Sequence, residues 1–254
     1  MPPQVQTVLI TGGNRGIGQH VARVLATRGW DVLVGSRDRG KGEAAVARLR
    51  KDTGGRLKVV ELDVTSDASV ITAAHKLRDG AIKIDALVNN AGIYGEGRDD
   101  VTKTVETNFF GPLRVTLGML PLLRDGATIT NVTSALGALA NLDSGHRKLL
   151  GDPDLTRDAL VAAMRELVRA DGKGWGTEPY GAAKAALNAL TRVLATELAS
   201  RSIVVNSTCP GWVRTEMGGR SAPRSVEEGA ASVLFGITAP QTGGVFRDGQ
   251  RIPF

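Results

Sequence analysis

Hydrophobic positions along this chain switch repeatedly between the period of a buried strand and that of a helix. Val5 to Thr11 is a continuous apolar run rich in β-branched residues, which predicts a strand covered on both faces in a parallel sheet. Helical spacing follows through Val21, Leu25 and Arg28 and stops at Gly29. The succession then repeats, with strands predicted at Asp31–Gly35, Leu57–Leu62, Ile84–Val88, Ala127–Val132 and Ile203–Thr208, and Gly244–Phe246 as a seventh. Helices are predicted over Asp67–Asp79, Val101–Leu123 and Val226–Ile237, the last opened by Ser225 with Glu227 and Glu228 in its first turn, where anions are favoured. Such alternation predicts a single α/β domain over residues 1–254, a doubly wound parallel sheet of about seven strands with ligands beyond the strands' carboxyl ends.

Residues 141–178 interrupt the rhythm. Asp143 to Pro153 is polar and turn-rich, and Asp154 to Ala170 spaces Leu160, Met164, Leu167 and Val168 as an amphipathic helix. The stretch is too short for a core of its own and is expected as an insertion beside the site, returning flexibly through Gly172–Gly176. A long helix over Thr177–Leu198 follows, with Ala183, Leu187, Leu190, Leu194 and Leu198 as its buried stripe.

The composition, 42% hydrophobic and 23% charged, is that of an ordinary globular protein, and no apolar run reaches the roughly 18 residues of a membrane span. Met1-Pro2-Pro3-Gln4 leads into a strand without a basic and then apolar leader, and the single Cys209 fits a reducing compartment, so a cytoplasmic protein is expected. The net charge of +6 is local. Arg37, Arg39, Lys41, Arg48, Arg50, Lys51, Arg56 and Lys58 outnumber Asp38, Glu43 and Asp52, leaving the rest nearly neutral. This favours a funnel for a small polyanion over nucleic-acid binding.

Candidate chemistry gathers at the predicted strand ends. Thr11-Gly12-Gly13-Asn14-Arg15-Gly16-Ile17-Gly18 joins a strand to a helix, and its glycines leave backbone N–H groups bare where a pyrophosphate can sit. The second strand ends in Ser36-Arg37, where a carboxylate would be expected to hold the ribose of NAD. Arg37 and Arg15 instead suit a 2′-phosphate, which predicts NADP(H). Asp63, at the third strand's end, can accept from an adenine amino group or cap the next helix with Thr65 or Ser66. Asn89-Asn90-Ala91-Gly92 suits close approach to a ribose and main-chain hydrogen bonding.

Tyr180 and Lys184 stand four apart, hence on one helix face, and the ammonium is expected to draw the phenol's pKa down toward neutrality. Asn108, set among Val105, Phe109, Leu113 and Val115, must be hydrogen-bonded, either tying strands together or holding a water. Ser134 closes the fifth strand, and Trp175, Trp212, Met164 and Tyr94 are candidates for an apolar pocket.

Together these segments resemble the classical short-chain dehydrogenase/reductase family over nearly the whole chain: Thr11-Gly12-x3-Gly16-Ile17-Gly18, Asp63, Asn89-Asn90-Ala91-Gly92, Asn108, Ser134, Tyr180-x3-Lys184 and Pro210-Gly211. The resemblance implies a Rossmann-type fold. It makes Tyr180 the general acid of a carbonyl reduction, Ser134 the holder of the carbonyl oxygen, Lys184 the ligand of the nicotinamide ribose, and Asn108 the anchor of a relay water. It adds Asn14, Ile17, Val64, Ala91, Val213 and Thr215 to the implied cofactor contacts, and no metal. Ser134 and Tyr180 lie 46 residues apart, an insertion similar to that of the monomeric carbonyl reductases, as is Ser221–Ala230. A monomer acting on a small carbonyl substrate, with neither nucleic-acid nor membrane partner, is therefore expected. The alternatives are the same chemistry run as alcohol oxidation, or a non-catalytic protein that senses NADP(H) as a regulator or scaffold.

Overall fold

In a computed structural model, which describes residues 5–95 and 101–254, the apolar runs become one eight-stranded sheet. Met1–Gln4, where a leader is not expected, lie outside the described residues. The chain runs β1 (Thr7–Thr11), α1 (Gly16–Thr27), β2 (Asp31–Ser36), α2 (Arg39–Thr53), β3 (Arg56–Glu61), α3 (Asp67–Asp79) and β4 (Ile84–Asn89). It continues through α4 (Val101–Val105), a π turn (Glu106–Phe110), α5 (Gly111–Met119), β5 (Leu123–Val132), α6 (Ser144–Gly151), α7 (Arg157–Arg169) and α8 (Pro179–Glu197). β6 (Val204–Thr208), α9 (Val226–Thr238), β7 (Val245–Arg247) and β8 (Gln250–Arg251) complete it. The order is β3-β2-β1-β4-β5-β6-β7-β8, parallel throughout except for β8, a two-residue return on β7. The switch in winding falls between β1 and β4, where doubly wound sheets bind their ligands.

Side-chain alternation divides the core between the two faces. Leu9, Leu33, Leu87, Ile129 and Val205 pack toward α3, α4, α5, α7 and α8; Val8, Ile10, Val32, Val34 and Val88 pack toward α1, α2 and α9. Burying each such Leu, Ile or Val side chain contributes on the order of 1.5–3 kcal/mol. Ser225 caps α9 as expected, in a full capping box with Glu228.

Four expectations need correction. The predicted Val101–Leu123 helix is broken by the π turn around Asn108, and β5 begins at Leu123 rather than Ala127. The polar Asp143–Pro153 stretch contains α6, because Asp143 caps it by accepting from the N–H groups of Gly145 and His146. The Gly172–Gly176 return is packed rather than loose. Trp175 is buried with its ring stacked on His146 at 4.0 Å, and a Cβ at Gly176 would lie 2.6 Å from the Asp143 nitrogen.

α8 is buried on nearly all sides from Gly181 to Val193, beyond the single stripe expected, because it is wedged between β5 and β6 on one side and α4 and α7 on the other. Arg192 on α8 donates to the carbonyls of Leu150 and Asp152 at 2.8 and 2.9 Å, tying segment 141–178 to this helix.

Candidate active site

The glycine-rich turn follows β1 and delivers the chain into α1. Gly12 and Gly16 adopt φ of 62° and 54°, the left-handed region that glycine enters without steric cost. Gly18 is required by close approach, since a Cβ there would lie 2.4 Å from Asn90 Nδ2 and 2.8 Å from the Gly12 oxygen. Asn90 Nδ2 donates to the carbonyls of Thr11 and Gly12 at 2.9 and 3.2 Å, while Thr11 Oγ1 accepts from the N–H groups of Asn90 and Ala91. Asn90 therefore realises the main-chain half of its expected role and braces the turn. Arg15, the N-cap of α1, makes no capping bond with its side chain, so none satisfies the helix's first N–H groups. With Asn14 and Ile17 in the same turn, this is a cradle that fits a pyrophosphate.

At the end of β2, Ser36 is buried and donates from Oγ to the Asp38 carbonyl at 2.7 Å, while Arg37 is exposed. No carboxylate stands in Ser36's place. The next along the chain, Asp38, caps α2 by accepting from Lys41 N–H. Arg15 meets a partner the sequence did not disclose, an ion pair with Glu216 from the loop after β6. Asp63 is committed locally, its Oδ1 accepting from the N–H and hydroxyl of Thr65 at 2.9 and 2.7 Å; α3 is capped by Ser66. Val64 packs into the core.

The catalytic candidates converge from the ends of β4 and β5, the π turn and the start of α8. Pro179 starts α8, setting Tyr180 and Lys184 one turn apart, and Ser134, just beyond β5, stands beside the Tyr180 hydroxyl, whose pKa it lowers. Ser134 Oγ also accepts from Leu136 N–H at 3.3 Å. Lys184 is buried and donates from Nζ to the Val132 carbonyl at 2.8 Å. Gly92 lies against both remaining members, since a Cβ there would sit 2.9 Å from Asn108 Oδ1 and 3.7 Å from Lys184 Nζ. Asn108 does not join two strands but ties the π turn to the loop after β4: its Nδ2 donates to the Ile93 carbonyl at 2.8 Å and its Oδ1 accepts from Ile93 N–H at 3.2 Å.

The Ser134 turn is seated on α8 at Gly137, where a Cβ would lie 2.7 and 2.8 Å from the backbone of Lys184 and Ala185. Because helix backbone rather than a flexible side chain stands in the way, Gly137→Ala is expected to lever the two apart. Overpacking of this kind costs about 1–3 kcal/mol. Thermal unfolding should show the loss, and turnover should fall further than any lost population of folded protein explains.

The expected acidification of the phenol is not present in the free protein. Burial pushes Tyr180 up to about 12, only partly offset by the neighbouring Ser134, and burial pushes Lys184 down to about 8. The ammonium is directed at the Val132 carbonyl and lies 5.7 Å from the Tyr180 ring centre, so desolvation outweighs its pull on the phenol oxygen. A folded pKa above the unfolded one means that stability from Tyr180 falls as pH rises from about 10 to about 12. The chain has only two tyrosines, so the ultraviolet titration of the wild type minus that of Tyr180→Phe isolates this phenol. Ionisation well above pH 10 is expected; a transition near neutrality would contradict this reading.

Pro210 and Gly211 follow β6, and a Cβ at Gly211, whose φ is 77°, would strike Arg224 Cδ at 2.5 Å. Val213 is buried, and Thr215 Cγ2 lies 3.4 Å from the position of a Cβ on Gly16, so this loop rests on the glycine-rich turn. The apolar candidates divide. Trp175 and Met164 belong to the core, being held inside by α7 and its return. Tyr94 is 49% exposed and meets the Tyr180 ring edge-on at 5.0 Å, and Trp212 is 57% exposed with Nε1 donating to the Gly218 carbonyl.

A buried polar ladder beneath the site was not foreseen. Asn89 donates to Thr116 and Asn131, Asn131 donates to Thr191 at 2.9 Å, and Thr191 meets Ser207 at 2.8 Å, linking β4, β5, β6, α5 and α8. Its only sequence signal is amides interrupting runs otherwise apolar, at Asn89 and Asn131. Among the described residues, no group of three or more His, Cys, Asp or Glu could hold a metal, and no helix is long and apolar enough to cross a membrane.

Comparison with known proteins agrees with this geometry. The short chain dehydrogenase family pattern matches residues 6–144, and a second, described as enoyl-(acyl carrier protein) reductase, matches residues 161–234. Carbonyl reductase [NADPH] 1 of Mus musculus is 34% identical over 250 residues, covering 89% of this chain and 88% of its own. Salutaridine reductase from Papaver somniferum superposes with a TM-score of 0.86 at 28% identity, over 96% of this chain and 99% of its own. An NADPH-bound carbonyl reductase from chicken fatty liver superposes with a TM-score of 0.74 at 26% identity, over 99% and 100%.

Proposed function

The chain belongs to the short-chain dehydrogenase/reductase family, and from that membership we propose that it uses NADPH to reduce the carbonyl of an aldehyde, ketone or quinone to an alcohol. The observation that carries this reading is Ser134 set beside the Tyr180 hydroxyl, whose pKa it lowers, next to buried Lys184 and with an uncapped helix start at the glycine-rich turn. Both hydroxyls can turn to donate to one carbonyl oxygen, stabilising the negative charge that develops there. The cofactor, when bound, supplies hydride to the carbonyl carbon. Tyr180 then gives its proton to the oxygen. The phenol is protonated at neutral pH, as a proton donor must be.

Gly12, Asn14, Arg15, Gly16, Ile17 and Gly18 would hold the pyrophosphate side of the cofactor, and Arg37 with Arg15 the 2′-phosphate. Asp63 and Val64 would flank the adenine, and Asn90, Ala91 and Gly92 the central ribose, with Tyr180 and Lys184 at the nicotinamide ribose and Pro210, Gly211, Val213 and Thr215 covering the nicotinamide end. Asn108 would position the path by which Lys184 recovers a proton. Arg37→Asp replaces an exposed cation with an anion, and is expected to weaken NADPH binding by on the order of tenfold to a hundredfold with little change for NADH. Fluorescence titration with both cofactors checks it, and an unchanged NADPH preference would count against the role of this strand end.

Loss of NADPH absorbance with a panel of aldehydes, ketones and quinones tests the function. Tight NADPH binding without turnover on any of them would favour the sensing alternative. Segment 141–178 covers a face of α8, which supports a monomer; light scattering should then give a mass near 26.7 kDa, and a stable tetramer would defeat it. A cytoplasmic setting belongs to the same proposal, and cell fractionation checks it.

A further inference from the structure

Glu216 pairs with Arg15, bridging the loop after β6 to the glycine-rich turn. Their side chains are 76% and 60% exposed, so the pair is held by charge rather than by packing. Glu216 belongs to the segment whose Thr215 rests on Gly16, so its carboxylate is delivered to Arg15 by the loop's own seat on the turn. The structure assigns Glu216 a specificity-determining role: it competes with the 2′-phosphate of NADPH for Arg15, and so tempers the preference for NADPH over NADH.

This inference rests on the cofactor reading above, in which Arg15 and Arg37 receive the 2′-phosphate. A carboxylate and a phosphate seek the same guanidinium, and a retained negative charge nearby repels the incoming one. NADH lacks the 2′-phosphate and does not enter the contest. The displaced carboxylate has somewhere to go. A cavity of about 460 Å³ is lined by Glu216 together with Arg214, Thr215, Gly219 and Arg220. Arg214 spends Nη1 on the carbonyls of Ala222 and Pro223, whereas Arg220 makes no ion pair among the described residues. Glu216 can thus pass from Arg15 to Arg220 as the cofactor enters. An exposed pair is a weak competitor, so the effect is a tuning of affinity rather than a block.

The test is the dissociation constant of NADPH and of NADH, by fluorescence titration at low ionic strength, for the wild type and Glu216→Gln. The variant is expected to bind NADPH about three- to fivefold more tightly and NADH within twofold of the wild type, with the NADPH gain shrinking as salt is added. Unchanged or weaker NADPH binding in the variant overturns the proposal, as does a parallel gain for both cofactors, which would place Glu216 near the shared pyrophosphate instead. A wild type that shows no preference for NADPH defeats the underlying cofactor reading, and the inference with it. A wild type that prefers NADPH and a variant that does not differ defeat the inference alone.

Discussion

Replacing Tyr180 with phenylalanine is expected to lower kcat and kcat/KM together by on the order of 10² to 10⁴, the usual contribution of a positioned general acid. The ring is retained, so its edge contact with Tyr94 and its place in the first turn of α8 survive. What disappears is the hydroxyl that stands beside Ser134. NADPH binding should change by no more than about twofold, because the pyrophosphate cradle and the arginines lie on other elements. Steady-state rates beside fluorescence titration separate the two. A variant turning over at the wild-type rate would remove Tyr180 from the chemistry.

Ser134→Ala is expected to cost on the order of 10² to 10³ in kcat, the scale measured when a donor to a developing oxyanion is removed. Ser134 is partly buried and its Oγ accepts from Leu136 N–H within the short turn that Gly137 seats on α8, so a modest loss of stability accompanies the change. The phenol should respond as well. The neighbouring Ser134 lowers a pKa that burial raises, so Tyr180 in the Ser134→Ala variant should ionise at still higher pH. Paired measurement of turnover and of phenol titration distinguishes this from simple misfolding. A folded variant with unchanged rate and unchanged titration would mean that the two hydroxyls do not act together.

Much of the fold was legible because each strand is short, apolar and closed by residues with turn chemistry. α3 has the bounds its periodicity predicts, and α9 starts at the capping serine. The misplaced elements are those where local chemistry overrode periodicity. Apolar spacing alone does not show the break at Asn108, whose local signal is Pro112: it lacks the N–H that would bond the Asn108 carbonyl four residues earlier. α6 hides in a polar stretch because Asp143 provides the cap and Trp175, distant in sequence, provides the packing.

At the site, residue types and order sufficed to bring Ser134, Tyr180, Lys184, Asn108 and Gly92 into one neighbourhood. Electrostatics did not follow from spacing. Four residues of separation place an ammonium near a phenol, but the balance between Coulombic pull and desolvation depends on burial and on where Nζ points. Lys184 points to Val132, and burial prevails. Long-range partners were also beyond reach. Nothing local to Arg15 or to Glu216 announces that they meet, and the Asn89–Asn131–Thr191–Ser207 ladder exists only once three strands and α8 are assembled.

The central claim is that the Ser134 and Tyr180 hydroxyls jointly hold the oxygen of the carbonyl being reduced. A crystal structure of the enzyme with NADP⁺ and an unreactive ketone bound tests it most directly. The ketone oxygen should lie within about 2.6–3.2 Å of both Ser134 Oγ and the Tyr180 hydroxyl. A ketone bound productively over the cofactor with its oxygen out of reach of either hydroxyl would contradict the account.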